Sequence, residues 1–105
     1  MTLHLDKPER TQLYNAPSDD RFCRGNTTTF TCNSTAKPAL IEYSLYRNGH
    51  LVEGRSTTGI FNVTLNAMGE NNFTCVPNNT AGIGERKSIE FFVTGEYGWK
   101  MRLKW

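Results

Sequence analysis

Apolar and polar residues alternate with a period of two through most of the middle of this chain, and that period belongs to strands with one buried face. In Thr27-Thr-Thr-Phe-Thr-Cys32 it sets Thr28, Phe30 and Cys32 on one side and Thr27, Thr29 and Thr31 on the other. Ile41-Glu-Tyr-Ser-Leu-Tyr-Arg47 repeats the pattern, with Ile41, Tyr43 and Leu45 inward and Glu42 and Ser44 outward. It runs into Asn48-Gly49, two residues that tolerate positive φ and therefore favour a tight hairpin into His50-Leu-Val52. Phe61, Val63 and Leu65 share one face of the next run, and Phe73 and Cys75 share one face of Asn71 to Val76. The glycines of Asn79-Thr-Ala-Gly-Ile-Gly84 then turn the chain into Lys87 to Val93. At least six short strands with turn signals between them, and no window with a helical period, predict an all-β sandwich.

Length and charge narrow the picture by exclusion. A chain of 105 residues has room for one core. A net charge of +2 gives no field strong enough to mark a nucleic-acid partner. No apolar run reaches the roughly 20 residues of a membrane span. Met1 to Pro8 lacks the basic start and apolar centre of a signal peptide, so an extracellular domain with this sequence reads as a piece of a longer chain. The domain is expected over residues 1–94. The basic, aromatic tail 95–105 is expected to lie outside the core, and the domain itself is expected to make no membrane contact.

Candidate chemistry is sparse. The sequence holds no nucleophile elbow, phosphate loop or His-Glu-x-x-His segment, and Asp19-Asp20 reads as a solvated loop, so no catalytic residue, cofactor or enzymatic role is assigned. Three cysteines without Cys-x-x-Cys spacing, and two histidines, His4 and His50, do not make a metal site. Cys32 and Cys75 each sit in a strand-like run. Cys23 is open to three readings: a free thiol, a link to another chain or segment, or a bond to one of the other two cysteines.

Two segments carry a resemblance. Cys75-Val-Pro-Asn-Asn-Thr-Ala-Gly82 is similar to the C-x-A-x-N-x-x-G run of immunoglobulin-superfamily domains, with Pro77 in the alanine place. Tyr43-Ser-Leu-Tyr-Arg-Asn-Gly49 resembles the strand that usually reads I-x-W-x-K-N-G in that family. The resemblance spans Thr11 to Val93, and the short gap between the cysteines favours the C2 or I type over the variable type. It implies a β-sandwich of two antiparallel sheets, a Cys32–Cys75 disulfide, an oxidising compartment, and Cys23 as a free or externally paired thiol. Two departures stand out. The core tryptophan is replaced by Leu45, with Tyr43 and Phe30 expected to fill part of the lost indole area. The tyrosine two residues before the second cysteine is Phe73, which cannot form the hydrogen bond of a tyrosine corner.

Five Asn-x-Ser/Thr sequons, at Asn26, Asn33, Asn62, Asn72 and Asn78, exceed what ten asparagines and eighteen serines and threonines would give by chance. Asn62 and Asn72 are expected on the outward sides of their strands, where they would crowd each other if they shared a sheet. The resemblance implies a function: recognition of a protein partner, homophilic or heterophilic, by a domain of a cell-surface, membrane-anchored receptor or adhesion protein. Tyr46, Arg47 and His50 near the Asn48-Gly49 turn, and the segment Asn79 to Gly84 with Asn79 at its head, are the candidate contacts. A spacer domain of a longer ectodomain and an intracellular filament-type domain are the alternatives.

Overall fold

The computed structural model describes residues 6–16, 21–37 and 41–95. Asp19-Asp20, His4 and the tail beyond Gly95 lie outside the described residues.

Nine strands form in chain order: β1 (Asp6–Ala16), β2 (Arg21–Cys23), β3 (Thr27–Lys37), β4 (Glu42–Arg47), β5 (His50–Ser56), β6 (Ile60–Thr64), β7 (Gly69–Asn79), β8 (Gly82–Ile83) and β9 (Lys87–Thr94). One sheet has the order β1-β3-β6; the other has the order β2-β9-β7-β4-β5, with β8 folded back on β7. All pairings are antiparallel except β2 with β9, which is parallel. The described residues are all-β, as the alternation predicts.

The buried face of every predicted strand is the one the period of two selects. Thr28, Phe30 and Cys32 on β3, Ile41, Tyr43 and Leu45 before and along β4, Phe61, Val63 and Leu65 along and after β6, and Phe73 and Cys75 on β7 are all buried. Asn48 and Gly49 both take positive φ, 49° and 85°, as the hairpin requires. The Cys32–Cys75 disulfide joins β3 to β7 across the two sheets, with a Cα–Cα distance of 6.4 Å.

Four phenylalanines form a ring cluster in the core that also holds Leu45. Phe30 lies 4.5 Å from Phe73 and 6.0 Å from Phe91, centroid to centroid, Phe73 lies 5.4 Å from Phe91, and Phe91 lies 4.8 Å from Phe22. Each such pair contributes about 0.5–1.5 kcal/mol beyond its buried area. Phe30 is buried in this cluster with Phe73 and Phe91 as its ring neighbours, and Phe22 joins through Phe91. Tyr43 is buried, and its hydroxyl accepts the backbone N–H of Ser34 at 3.0 Å.

The alternation gives no sign of β1 or β2. Asp6 to Arg10 is charged and contains Pro8, a composition that suits only an edge strand. Its pairing with β3 shifts register twice, and Arg10 has φ 55°. Part of β1 is held from the other sheet as well. The Glu85 N–H donates to the Pro8 carbonyl at 2.8 Å, the Thr11 hydroxyl donates to the Glu85 carbonyl, and the Asn79 amide donates to the Asp6 carbonyl at 2.7 Å. Pro8 is fully buried there. A Cβ on Gly84 would fall 2.1 Å from the Pro8 carbonyl oxygen, so only glycine admits the contact.

Candidate recognition face

The outer face of the six-stranded sheet presents Ser44 and Tyr46 from β4 and Thr74 and Val76 from β7, because their neighbours in sequence point into the core. Tyr46 stands opposite Leu51 of β5 on one side and Thr74 of β7 on the other. Leu51 is 60% exposed and Ile83 57% exposed. Tyr46, Thr74, Val76 and Ile83, with Gly49 and Arg86, line a depression of about 290 Å³. A half-buried aromatic ring, exposed aliphatic groups and a guanidinium at the margin make an apolar centre with a charged border, the composition of a protein-binding patch.

The structure divides the four candidate contacts. Tyr46 belongs to this face. Arg47 stands opposite Phe73 and His50, so by the period of two Arg47 and His50 point to the other side of the sheet, beside the Asn48-Gly49 turn. Asn79 is engaged in holding the fold: besides its bond to Asp6, its Oδ1 accepts the Ala81 N–H at 2.9 Å. Ile83 lies in the segment Asn79 to Gly84 that the sequence singled out, whereas Leu51, Thr74, Val76 and Arg86 are the members that sequence reasoning missed. Leu51 is two residues beyond the hairpin, and the register that places it beside Tyr46 could have been counted out. Ile83 and Arg86 reach the face only through the fold-back of β8.

The sequons fall into two groups. Asn33 and Asn62 are exposed on the outer side of the three-stranded sheet, and exposed Asn26 lies just before β3. Asn72 and Asn78 lie on β7, on the same side as Tyr46. Asn62 and Asn72 therefore sit on opposite sheets, so the shared sheet that crowding would need is absent. Their amides are used differently. Asn72 donates through Nδ2 to Glu90 Oε2 at 3.2 Å and accepts the Thr74 hydroxyl at 3.0 Å. Asn62 accepts the Thr29 hydroxyl at 2.7 Å through Oδ1.

Cys23 is a half-buried free thiol in β2, 3.8 Å from the Thr94 hydroxyl. Among the described residues no cluster of His, Cys, Asp and Glu could hold a metal ion, and no helix is long and apolar enough to cross a membrane.

Comparison with known proteins agrees with this architecture. The family model described as an immunoglobulin domain matches residues 11–93. Among curated proteins none matches the chain. The second Ig-C2 domain of human Fc-receptor like A superposes with a TM-score of 0.62 at 18% identity, covering 86% of this chain and 99% of that one. The fibronectin(III)-like modules of Clostridium thermocellum CbhA superpose with a TM-score of 0.69 at 9% identity, covering 84% of this chain and 48% of that one. A CARDB domain from Pyrococcus furiosus, solved in complex with di-metal ions, gives 0.53 at 12%, covering 86% and 96%. At these identities the structural likeness speaks for the fold alone, and the sandwich is shared more widely than any one function. The family model, matched over the same stretch as the cysteines, hairpin and glycines that carry the resemblance, places this chain in the immunoglobulin domain family.

Proposed function

We propose that this chain is an extracellular recognition domain of a cell-surface receptor or adhesion protein, binding a protein partner through the outer face of the six-stranded sheet centred on Tyr46. The observation that carries the reading is the set Tyr46, Val76 and Ile83, gathered by β4, β7 and β8 around one depression that Arg86 also lines, with exposed Leu51 of β5 paired to Tyr46 beside it. Nothing in the core requires Leu51 or Ile83 to be exposed there, and apolar residues grouped on a sheet face mark an interaction site more often than scattered ones do.

Two further features support the setting. The disulfide between the sheets fits a chain that matures in an oxidising compartment. Three of the five sequons lie with the three-stranded sheet, so sugars there would leave the Tyr46 face open, whereas heavy occupancy at both Asn72 and Asn78, on the Tyr46 side, would argue against it.

The test is binding of the secreted, glycosylated chain to cells and to itself at micromolar concentration. Binding that Tyr46→Ser weakens about tenfold or more, while Arg47→Ser leaves it unchanged, supports the face. Absence of any binding favours the spacer role. Reduced cysteines and unmodified asparagines in the natural protein favour the filament type.

A further inference from the structure

A β-sandwich has four sheet edges, and an unprotected edge invites a second chain to pair with it. Three of the four edges here carry recognisable protection. β1 has Lys7, Pro8, Glu9 and Arg10, two register shifts and the positive φ of Arg10. β2 is three residues long and starts with Arg21. β5 carries Glu53 and Arg55 and shifts register twice against β4. Bulges and charges of these kinds turn edges away from pairing.

β6 has none of these. Its five residues, Ile60-Phe-Asn-Val-Thr64, pair with β3 in unbroken register. Among the described residues no strand lies on its other side. From Ser56 to Gly69 the sequence has no charged residue and no proline. A short, uncharged, β-branched and aromatic run is the composition of an aggregation-prone edge.

The hydrogen bonds show which groups face away from β3. The Leu65 N–H donates to the Asn26 carbonyl and the Gly59 carbonyl accepts the Cys32 N–H, both at 2.8 Å. By the antiparallel alternation, Phe61 and Val63 direct their backbone groups to β3, and Ile60, Asn62 and Thr64 direct theirs to the open edge, where the Ile60 N–H donates to the Thr58 hydroxyl at 3.3 Å. Asn62 is the central residue of that edge. Its Oδ1 is bound to Thr29 on the β3 side, which leaves Nδ2, the atom that would carry a sugar, on the side away from β3. Its side chain is exposed.

We propose that Asn62 is N-glycosylated and that its glycan guards the β6 edge against pairing with a second copy of this chain. Antiparallel pairing of two β6 strands puts Asn62 opposite Asn62 at the two-fold axis, with Ile60 opposite Thr64 on either side. Cα atoms in such a pair are about 5.5 Å apart, too close for two sugar chains rooted on the same face. The bare chain joins its three-stranded sheet to that of a second copy, and the glycosylated chain stays single. The proposal rests on the extracellular reading above.

The experiment compares the chain secreted from eukaryotic cells with three variants, by intact and site-resolved glycan mass and by sedimentation velocity across a concentration series. Asn62→Gln removes the sequon and adds no charge, and Thr64→Ala removes it while keeping Asn62 and its bond to Thr29. Both are expected to lose one glycan and to self-associate at least about tenfold more tightly than the parent. Asn62→Lys also lacks the sugar but sets two like charges face to face, and it is expected to remain monomeric. Tyr46→Ser on the Asn62→Gln background is expected to leave the dimer intact, which separates this edge from the recognition face. An unmodified Asn62 beside occupied sequons elsewhere, or monomeric Asn62→Gln and Thr64→Ala, overturns the edge proposal and leaves the extracellular reading standing. A secreted chain bare at all five sequons overturns both. A dimer lost with Tyr46→Ser and kept with Asn62→Lys overturns the edge and points to the other sheet.

Discussion

Asn48 and Asn72 hold each other across two strands. The Asn48 N–H donates to the Asn72 carbonyl at 2.8 Å, and the Asn72 N–H donates to the Asn48 side-chain Oδ1, also at 2.8 Å. The hairpin between β4 and β5 is thereby fastened to β7, and the floor beneath Tyr46 is fixed at its turn end.

Asn48 has two separable tasks, its left-handed backbone and its bond to Asn72. Asn48→Gly keeps the first and loses the second, with an expected loss of about 1 kcal/mol. Asn48→Ala loses both, and the left-handed conformation adds roughly 1 kcal/mol more. Urea unfolding of the two variants checks the order; equal losses would show that the backbone conformation contributes nothing.

Asn71 closes the corner that Phe73 leaves without a hydroxyl. It is 1% exposed, and its Nδ2 donates to the carbonyls of Ala67 at 2.9 Å and Gly69 at 3.1 Å. Asn71→Ala is expected to cost about 1–3 kcal/mol, and Asn71→Asp at least as much, because a carboxylate cannot donate to those carbonyls. Phe73→Tyr, which restores the usual family residue, is expected to bring no gain in denaturation midpoint, since the corner is already pinned and the ring is fully buried.

Removing the disulfide is expected to cost on the order of 4 kcal/mol, given its sequence separation of 43. Cys32→Ala with Cys75→Ala, measured by guanidinium unfolding, tests this. Cys23→Ser, which removes a half-buried thiol with one weak contact, is expected to change stability by no more than about 0.5 kcal/mol.

Leu45→Trp tests whether the missing indole left a vacancy. Leu45 is fully buried, and five phenylalanines, four of them in ring contact with one another, pack within the same core. The expected result is a loss of about 1–3 kcal/mol from overpacking. A gain would mean that the phenylalanine cluster leaves unfilled space.

The strands that were legible in the sequence are those whose core contacts repeat every second residue, such as Phe61, Val63 and Leu65. The Asn48-Gly49 turn was legible because its chemistry is local. β1 was not, since its pairing depends on Glu85, Asn79 and Gly84, remote in sequence, and its charges are tolerated only because it is an edge. Asn71 shares the inward phase of Phe73 and Cys75, but a polar residue there gains meaning only when Ala67 and Gly69 are seen beside it. Of the proposed recognition face, Tyr46 was singled out in the sequence by residue type. Arg47 and His50 were grouped with it by proximity in sequence, which in a strand separates neighbours onto opposite faces.

The latch between β1 and Glu85 has a consequence for how the domain is made. Thr11 and Glu85 are 74 residues apart, and β2 lies against β9, the last strand of the described chain. During synthesis the first strands emerge long before their partners on the second sheet exist, so the sandwich cannot close until β9 has left the ribosome. Until β7 arrives, the inner face of β3 lacks the Phe73 that packs on Phe30 and the Cys75 that bonds Cys32. Cys23, already out, is then a competing thiol for Cys32, and the native bond depends on Cys75 arriving to be chosen over it.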